Sequence, residues 1–309
     1  MVFRISATQR MPGNPKPTAA PSLFSIVIAA HNDWEPLEQC LRSLAQQTNG
    51  PPFEVIVVDD GSHETAPESI RQWNSSYPLS IIRQPNAGIA SARNRGVQES
   101  KGQILVFTDA DCCFERDSLS QLAETIAVSP DHDCFQLHLE GDSSTLLGRA
   151  ELLRLIAIQE QTLQPDGHIR FLNTSGFAIR RSHKSVKTGP FDIAAIRGED
   201  TLLLASLIQQ GELPLFVRNA TVRHSVSLSI LECLRKDLRS GWLEGITFKA
   251  IAAKGIQVRM TNQDRIRMVY STWRASREPT IGRLAWLVLI GRQLVERSVT
   301  VLYQCLPGR

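Results

Sequence analysis

An α/β fold, built on an open and mostly parallel central sheet flanked by helices, is what this sequence predicts. Continuous apolar runs of strand length alternate with segments whose apolar residues recur at helical spacing, giving a β-α-β-α-β order. Acidic pairs stand at the ends of the runs: Asp59-Asp60 after residues 53–58, and Asp109-Ala110-Asp111 after residues 104–108. A third pair, Glu199-Asp200, opens the apolar stretch 201–204. In an open α/β sheet the carboxyl ends of the parallel strands converge on one crevice, so the first two clusters face a common ligand. Carboxylates gathered there repel each other unless a cation lies between them, which points to metal-assisted chemistry on a phosphate-bearing substrate.

The elements follow in order. Residues 1–22 contain Pro12, Pro15, Pro17 and Pro21 among scattered polar residues, a composition that buries no core and predicts a disordered leader. The unbroken apolar run 23–30 predicts a strand covered on both faces. Asp33 then stands where a helix cap is needed, Leu37, Leu41 and Leu44 follow at helical spacing, and Asn49-Gly50-Pro51-Pro52 ends the element. A strand over 53–58 precedes a helix around 66–73, a strand at 80–83, a helix of small residues through Ala90, Ala92 and Gly96, and the strand that ends at Thr108. Farther along, the pattern predicts a helix at 119–128 capped by Asp117, a strand at 134–139 and a long helix over 146–163. A strand-like stretch at 171–181, a helix from Glu199 to Gln210 stopped by Gly211, and a short strand at 215–217 complete this part. Beyond His224 the pattern is helical, with basic residues interleaved among Leu, Ile and Trp.

The division that results is a catalytic domain over 23–245, with a nucleotide-sugar half at 23–115 and an acceptor half at 116–245, followed by a helical C-terminal extension over 246–309. The 309 residues suffice for one large α/β domain with appendages. A formal charge of +3 is too mild for a nucleic-acid partner, which demands clustered Lys and Arg. The six cysteines show no paired metal-ligand spacing and the first residues hold no uninterrupted apolar signal region, which favours a reducing cytoplasm and free thiols.

Taken in order, the motifs resemble those of the family 2 glycosyltransferases, whose fold is the GT-A type that binds nucleotide-diphospho-sugars. The resemblance covers roughly residues 24–245. Ser25-Ile26-Val27-Ile28 with Asn32 is similar to the family's opening strand, although Ala29 and His31 stand where Pro and Tyr are common. Val57–Ser62 matches the uridine-binding turn, Asn86-Ala87-Gly88 through Gly96 resembles the helix that follows, and Phe107–Asp111 matches the metal-binding acidic triplet. Asn173–Gly176, Gly189–Asp192 and Gly198-Glu199-Asp200 resemble the acceptor-side segment.

The resemblance implies that Ala30, Asn32, Asp60, Gly88, Arg93 and Asp109 line the donor nucleotide, probed at the base by Asp60 and nearer the ribose by Asp109. It implies a divalent ion, Mg or Mn, held by Asp111, with His224 as a later metal contact on the diphosphate side. Such an ion neutralises the departing diphosphate as a Lewis acid, and oxygen ligands suit both metals. An acceptor hydroxyl needs a base, and Asp200 is placed for that role at a helix start, where the dipole keeps a carboxylate ionised. One base and one displacement give inversion; Glu199 would orient the site. The expected reaction moves a sugar from a nucleotide donor, UDP-linked by expectation, to a hydroxyl of a glycan or lipid-linked acceptor, as in polysaccharide biosynthesis.

Each motif has a plainer meaning when taken singly. Asp-Gly and Asp-Ser are common turn formers, Glu199-Asp200 can be simple helix-start charge, a lone His224 is more often structural, and Cys112-Cys113 suit packing. Two rivals belong to other classes: a non-catalytic sugar-nucleotide-binding module, and a phosphatase of the haloacid dehalogenase type. The second usually carries its Asp-x-Asp on the first strand, whereas two α/β units precede it here. No Gly-x-Gly-x-x-Gly follows any strand, against a dinucleotide enzyme.

In the tail from Ile281 to Leu306 the longest apolar stretch, residues 284–291, is far short of the roughly 20 residues that span a bilayer. Arg283, Arg292 and Arg297 alternate there with Trp286, Leu287, Leu294 and Val301, and Lys236, Arg239, Arg265 and Arg267 add charge upstream. That pattern suits peripheral contact with the inner face of a membrane, and equally a helix packed on the domain or at a homodimer interface.

Overall fold

The structure, a computed structural model, describes residues 4–5, 24–73, 76–195, 197–225, 229–253 and 262–305. All of the expected leader except Arg4-Ile5, and the last four residues of the tail, lie outside the described residues. The chain forms two units: the first comprises residues 1–138, 173–193 and 214–222, the second residues 139–172, 194–213 and 223–309. Three segments of the expected acceptor half, 116–138, 173–193 and 214–222, thus share a unit with the nucleotide half.

The first unit carries the parallel strands. Strand β1 (Arg4–Ile5) is followed by β2 (Phe24–Ala30), α1 (Trp34–Ala45), β3 (Phe53–Asp60), α2 (Glu68–Arg71), β4 (Leu79–Gln84), α3 (Ile89–Glu99) and β5 (Ile104–Asp109). Then come β6 (Cys112–Phe114), α4 (Ser118–Val128) and β7 (Cys134–Gly141). After α5 (Leu146–Thr162), a 3₁₀ turn (Thr174–Gly176) leads into β8 (Phe177–Arg180), α6 (Lys184–Lys187), α7 (Glu199–Gln209) and β9 (Leu215–His224). The sheet order is β1-β4-β3-β2-β5-β8-β7-β9-β6. Strands β4, β3, β2 and β5 are parallel neighbours, whereas β8 pairs antiparallel with both β5 and β7, so the sheet is mixed beyond β5. Phe24, Ile26, Val27 and Ile28 are all fully buried, as a central parallel strand covered on both faces requires. Helix α1 buries Leu37, Cys40, Leu41 and Leu44, one stripe at 3.6-residue spacing.

The second unit is helical where its core lies. Thr145 caps α5 by accepting from Gly148 N at 2.9 Å, and the buried amide of Gln159 ties α5 to Leu139 N and O at 2.8 Å each. Helices α8 (Ile230–Ala253), α9 (Asn262–Ala275) and α10 (Arg283–Cys305) follow. Ala150 and Leu153 of α5 pack with Ile281, Ala285 and Leu289. Helices α8 and α10 approach closely at Gly241 and Gly245: a Cβ at Gly241 would fall 2.3 Å from Glu296 O, and one at Gly245 2.5 Å from Tyr303 Cδ1. Spacing two glycines four apart on one helix face is what lets the backbones meet.

Between these helices lies an ion network. The Arg292 guanidinium grips both oxygens of Asp237 at 2.8 Å and comes within 4.0 Å of Glu151, which Arg154 also holds, through Nε at 3.0 and 3.1 Å. Burial alone would push the Glu151 carboxyl up, but the charges of Arg154, His224 and Arg292 and the Arg154 hydrogen bond outweigh it and hold it at about 2. A carboxyl depressed in the fold contributes stability that is present above its ordinary value and lost as pH falls toward the folded one. Acidification from about pH 4.5 to pH 2 should therefore cost on the order of 3 kcal/mol through this group. Urea unfolding across that range, repeated on Glu151→Gln, checks it: the variant should lose most of this dependence, and an identical acid profile would place the loss elsewhere.

Candidate active site

The parallel register brings the acidic residues to one edge. Ala30 at the end of β2 lies beside Asp59, Ala29 lies beside Asp109, and Asp60 lies beside Gln84, so β2, β3, β4 and β5 all end on one line. The alignment of strand ends expected from the sequence is present in the first unit.

Two loops interlock at that edge. Asp59, buried, accepts Ser62 N at 2.8 Å and stands 3.5 Å from Arg83 Nη1, so it shapes the turn rather than facing the crevice. Ser62 Oγ accepts Asn32 N at 2.8 Å, and Asn32 Oδ1 accepts His63 N at 2.8 Å. Asn32 does this from the left-handed region, φ 62°, which Asn tolerates better than most residues. His31 Nδ1 donates to Asp60 O at 2.9 Å. Asp60 anchors the next turn: its Oδ1 accepts Gln84 Nε2 at 2.8 Å and Ala87 N at 2.9 Å, and its Oδ2 accepts Gly88 N at 2.9 Å. A carboxylate offers roughly four lone-pair positions, so about one is left for a ligand. Gly61 sits under this arrangement at φ 75°, and a Cβ there would lie 2.6 Å from Asn86 N. Gly61→Ala should therefore cost roughly 2–3 kcal/mol, because both the backbone angle and the 86–88 turn must give. Thermal melting checks this, and an unchanged midpoint would show that the turn adapts without strain.

The third group centres on Asp109. Arg93, fully buried, donates to its Oδ1 at 2.6 Å, and Ser175 Oγ donates to its Oδ2 at 2.7 Å. Ser175 is held by Thr108 Oγ1, which donates to its carbonyl at 2.9 Å. The guanidinium of Arg93 lies 5.6 Å from the ring centre of Phe191, whose backbone is pinned on both sides by Asn94 at 2.7 and 3.1 Å. Asp111, half-buried, follows with the Cys112 thiol 3.7 Å from its Oδ1. Cys112 and Cys40 are fully buried and their thiols are raised well above the ordinary range, by burial first, so both remain protonated packing groups.

Asp33, which the sequence predicts to be a helix cap, joins this group. It occupies the cap position of α1 yet makes no side-chain cap bond. Its carboxyl is raised by burial and by the charges of Asp111 and Asp109, which outweigh a lowering backbone hydrogen bond and the charge of His31. Three carboxylates therefore feel one another at the ends of β2 and β5. A hard divalent cation suits such an oxygen-rich, negatively charged site, and Asp111 is a residue that could hold one.

Glu199, Asp200 and His224 belong to the second unit. Asp200 is the second residue of α7, where its Oδ1 accepts Thr201 N at 2.6 Å and Thr201 Oγ1 at 3.2 Å; Glu199, the first, is buried. His224 ends β9, its carbonyl accepts Asp142 N at 3.1 Å, and its charge helps to depress Glu151. Ser175 and Asp33 are the site residues that motif reading assigned elsewhere; the signal for Asp33 was its place three residues beyond a strand end on the acidic edge.

The fold is the GT-A fold of glycosyltransferases. A mannosyltransferase from Pyrobaculum calidifontis, solved with GDP-Man and Mn2+, superposes with a TM-score of 0.58 at 17% identity, covering 96% of this chain and 86% of that one. The 1–349 segment of S. aureus TarS with UDP gives 0.52 at 16%, covering 91% of this chain and 90% of that one. At these identities the likeness concerns the fold alone. The family model for glycosyl transferase family 2 matches residues 25–185, just over half of the chain, and the chain belongs to that family. Among curated relatives, glycosyltransferase AglE of Haloferax volcanii is 34% identical over 113 residues, 36% of this chain and 37% of that protein. The dolichol-phosphate mannosyltransferase of Pyrococcus furiosus is 32% identical over 108 residues, 35% of this chain and 31% of that protein. The matched segment thus spans about a third of the length of these relatives.

Proposed function

We propose that the protein is an inverting glycosyltransferase that moves a sugar from a nucleotide-diphosphate donor, UDP-linked by preference, to a hydroxyl of a glycan or lipid-linked acceptor. The observation that supports it most is the aligned edge of β2, β3, β4 and β5, where Asp60 fixes the 86–88 turn and Asp33, Asp109 and Asp111 concentrate negative charge. Ala30, Asn32, Asp60, Gly88, Arg93 and Asp109 would form the donor side: backbone and turn for the base, the Arg93–Asp109–Ser175 set for the ribose. A divalent ion, Mg or Mn, would be held by Asp111 and His224 and would supply charge neutralisation for the departing diphosphate. Asp200 would take the proton of the acceptor hydroxyl, with Glu199 orienting the acceptor, and a single displacement inverts the anomeric centre.

A donor screen tests the reading. UDP-, GDP- and dTDP-sugars are incubated with the protein and each divalent ion, and free nucleotide is measured. Release from one donor class, abolished by EDTA, is expected. Tight nucleotide binding without release under any acceptor mixture would favour a non-catalytic module, and phosphate release without nucleotide would favour a phosphatase.

A further inference from the structure

The chain's mild overall charge conceals a strong division. Residues 229–309 hold 14 Lys and Arg against 6 Asp and Glu, a net +8, whereas residues 1–228 hold 20 against 25, a net −5. Helices α8 to α10 themselves carry 10 Lys and Arg against 5 Asp and Glu, and on α9 the basic residues border an apolar face that is exposed among the described residues. Ile266, Val269, Tyr270 and Trp273, spaced i, i+3, i+4 and i+7, are 71%, 42%, 67% and 37% exposed. The opposite side of α9 is the buried one: Thr272 and Ser276 point inward, and Thr272 Oγ1 accepts Trp286 Nε1 at 3.2 Å. Arg267, Arg274 and Arg277 are exposed along the edge of the apolar stripe.

This face continues onto the start of α10. The Arg283 guanidinium stacks 3.4 Å above the Trp273 ring and donates to Trp273 O at 3.0 Å, and the rings of Trp273 and Trp286 meet at 4.9 Å. That lock fixes Leu284 and Leu287, 60% and 58% exposed, beside the α9 stripe. It also corrects the simpler picture drawn from the tail sequence. Arg292 is spent on Asp237 and Trp286 on Trp273, so neither serves an outer surface. Among the described residues no helix is long and apolar enough to cross a membrane.

We propose that the α9–α10 corner is a docking face for an anionic phospholipid bilayer, with Ile266, Tyr270, Leu284 and Leu287 entering the interface and Arg267, Arg274 and Arg277 meeting the headgroups. The pattern of apolar stripe, interfacial Trp and Tyr, and flanking Arg is what an interfacial helix needs. A second copy suits it less. Pairing two such faces would set Arg267, Arg274 and Arg277 of one copy against the same residues of the other, like charge against like charge. Docking here deepens the reading of a lipid-linked acceptor, since it keeps the enzyme on the surface that holds such a substrate.

The test is co-sedimentation of the full chain with phosphatidylglycerol-containing and pure phosphatidylcholine vesicles, beside light scattering for mass. Partition onto the anionic vesicles only, weakened by salt, is expected. Ile266→Asp with Tyr270→Asp, and separately Arg267→Glu with Arg274→Glu and Arg277→Glu, should each reduce partition by roughly tenfold or more with melting unchanged. Equal binding to neutral vesicles, no binding, or partition indifferent to both variants would overturn the proposal. So would a dimer in solution that the same variants dissociate. Partition is read without substrate, so its failure leaves nucleotide release untouched, and failed nucleotide release leaves partition standing.

Discussion

Asp111→Asn is expected to lose metal-dependent nucleotide release by ~100-fold or more while melting no lower than the wild type, because a held cation contributes several kcal/mol to a charge-separating step. The stability half of this expectation comes from the charges at the strand ends. Asp33 is held above the usual carboxylate range by burial and in part by the charge of Asp111, so removing that charge relieves a repulsion. Asp109→Asn is the contrast. It leaves the guanidinium of Arg93 buried against a neutral amide, and breaking such a pair should cost roughly 2–4 kcal/mol, since Asp109 itself is only partly exposed. Activity with and without EDTA, calorimetric melting, and the titration of Asp33 followed by NMR separate the cases. An Asp111→Asn protein that keeps full metal-dependent release would remove Asp111 from the metal role, and one that melts many degrees lower would make it a structural residue.

The resemblance gives Asp111 and Asp109 different tasks, but the ion pair that commits Asp109 was not visible in the sequence, where both are acidic residues at the end of one apolar run. Their fates are decided by Arg93 on α3 and Ser175 ahead of β8, groups 16 and 66 residues away. Local patterns carry what local physics decides. The apolar runs of β2, β3 and β5, the helical stripe of α1 and the acidic strand ends were all legible, because burial on both faces and 3.6-residue spacing leave a direct mark on composition. Long-range side-chain choices leave none. Asp33 has every local feature of a helix cap, yet its carboxyl makes no cap bond and lies instead under the charges of Asp111 and Asp109. Arg292 has the sequence surroundings of a surface basic residue, and Asp237 on α8 takes it inward.

Strand direction was hidden for the same reason. Residues 177–180 are an apolar run like those before it, and pairing alone makes β8 antiparallel to β5 through Phe107 opposite Phe177. Residues 215–224 likewise form one strand of ten residues, although only its first three are apolar enough to be read as one. Arg218, Asn219 and Arg223 interrupt the pattern because that strand exposes them.

Asp200→Asn should slow turnover by roughly a thousandfold, within the usual reach of a general base, while leaving nucleotide affinity unchanged. The expectation rests on where its oxygens are committed. Oδ1 is occupied by Thr201 N and Thr201 Oγ1 at the start of α7, bonds that an amide oxygen still accepts, so the helix start should survive within about 0.5 kcal/mol. What the amide cannot do is carry away a proton. Glu199, buried beside it, gives the control: Glu199→Gln should change acceptor dependence more than the maximal rate if that residue orients and does not accept. Calorimetric titration with UDP, the melting midpoint and single-turnover rates on the preferred donor are the three readouts. If UDP affinity falls as far as the rate does, Asp200 belongs to donor binding and the proton must go to another group.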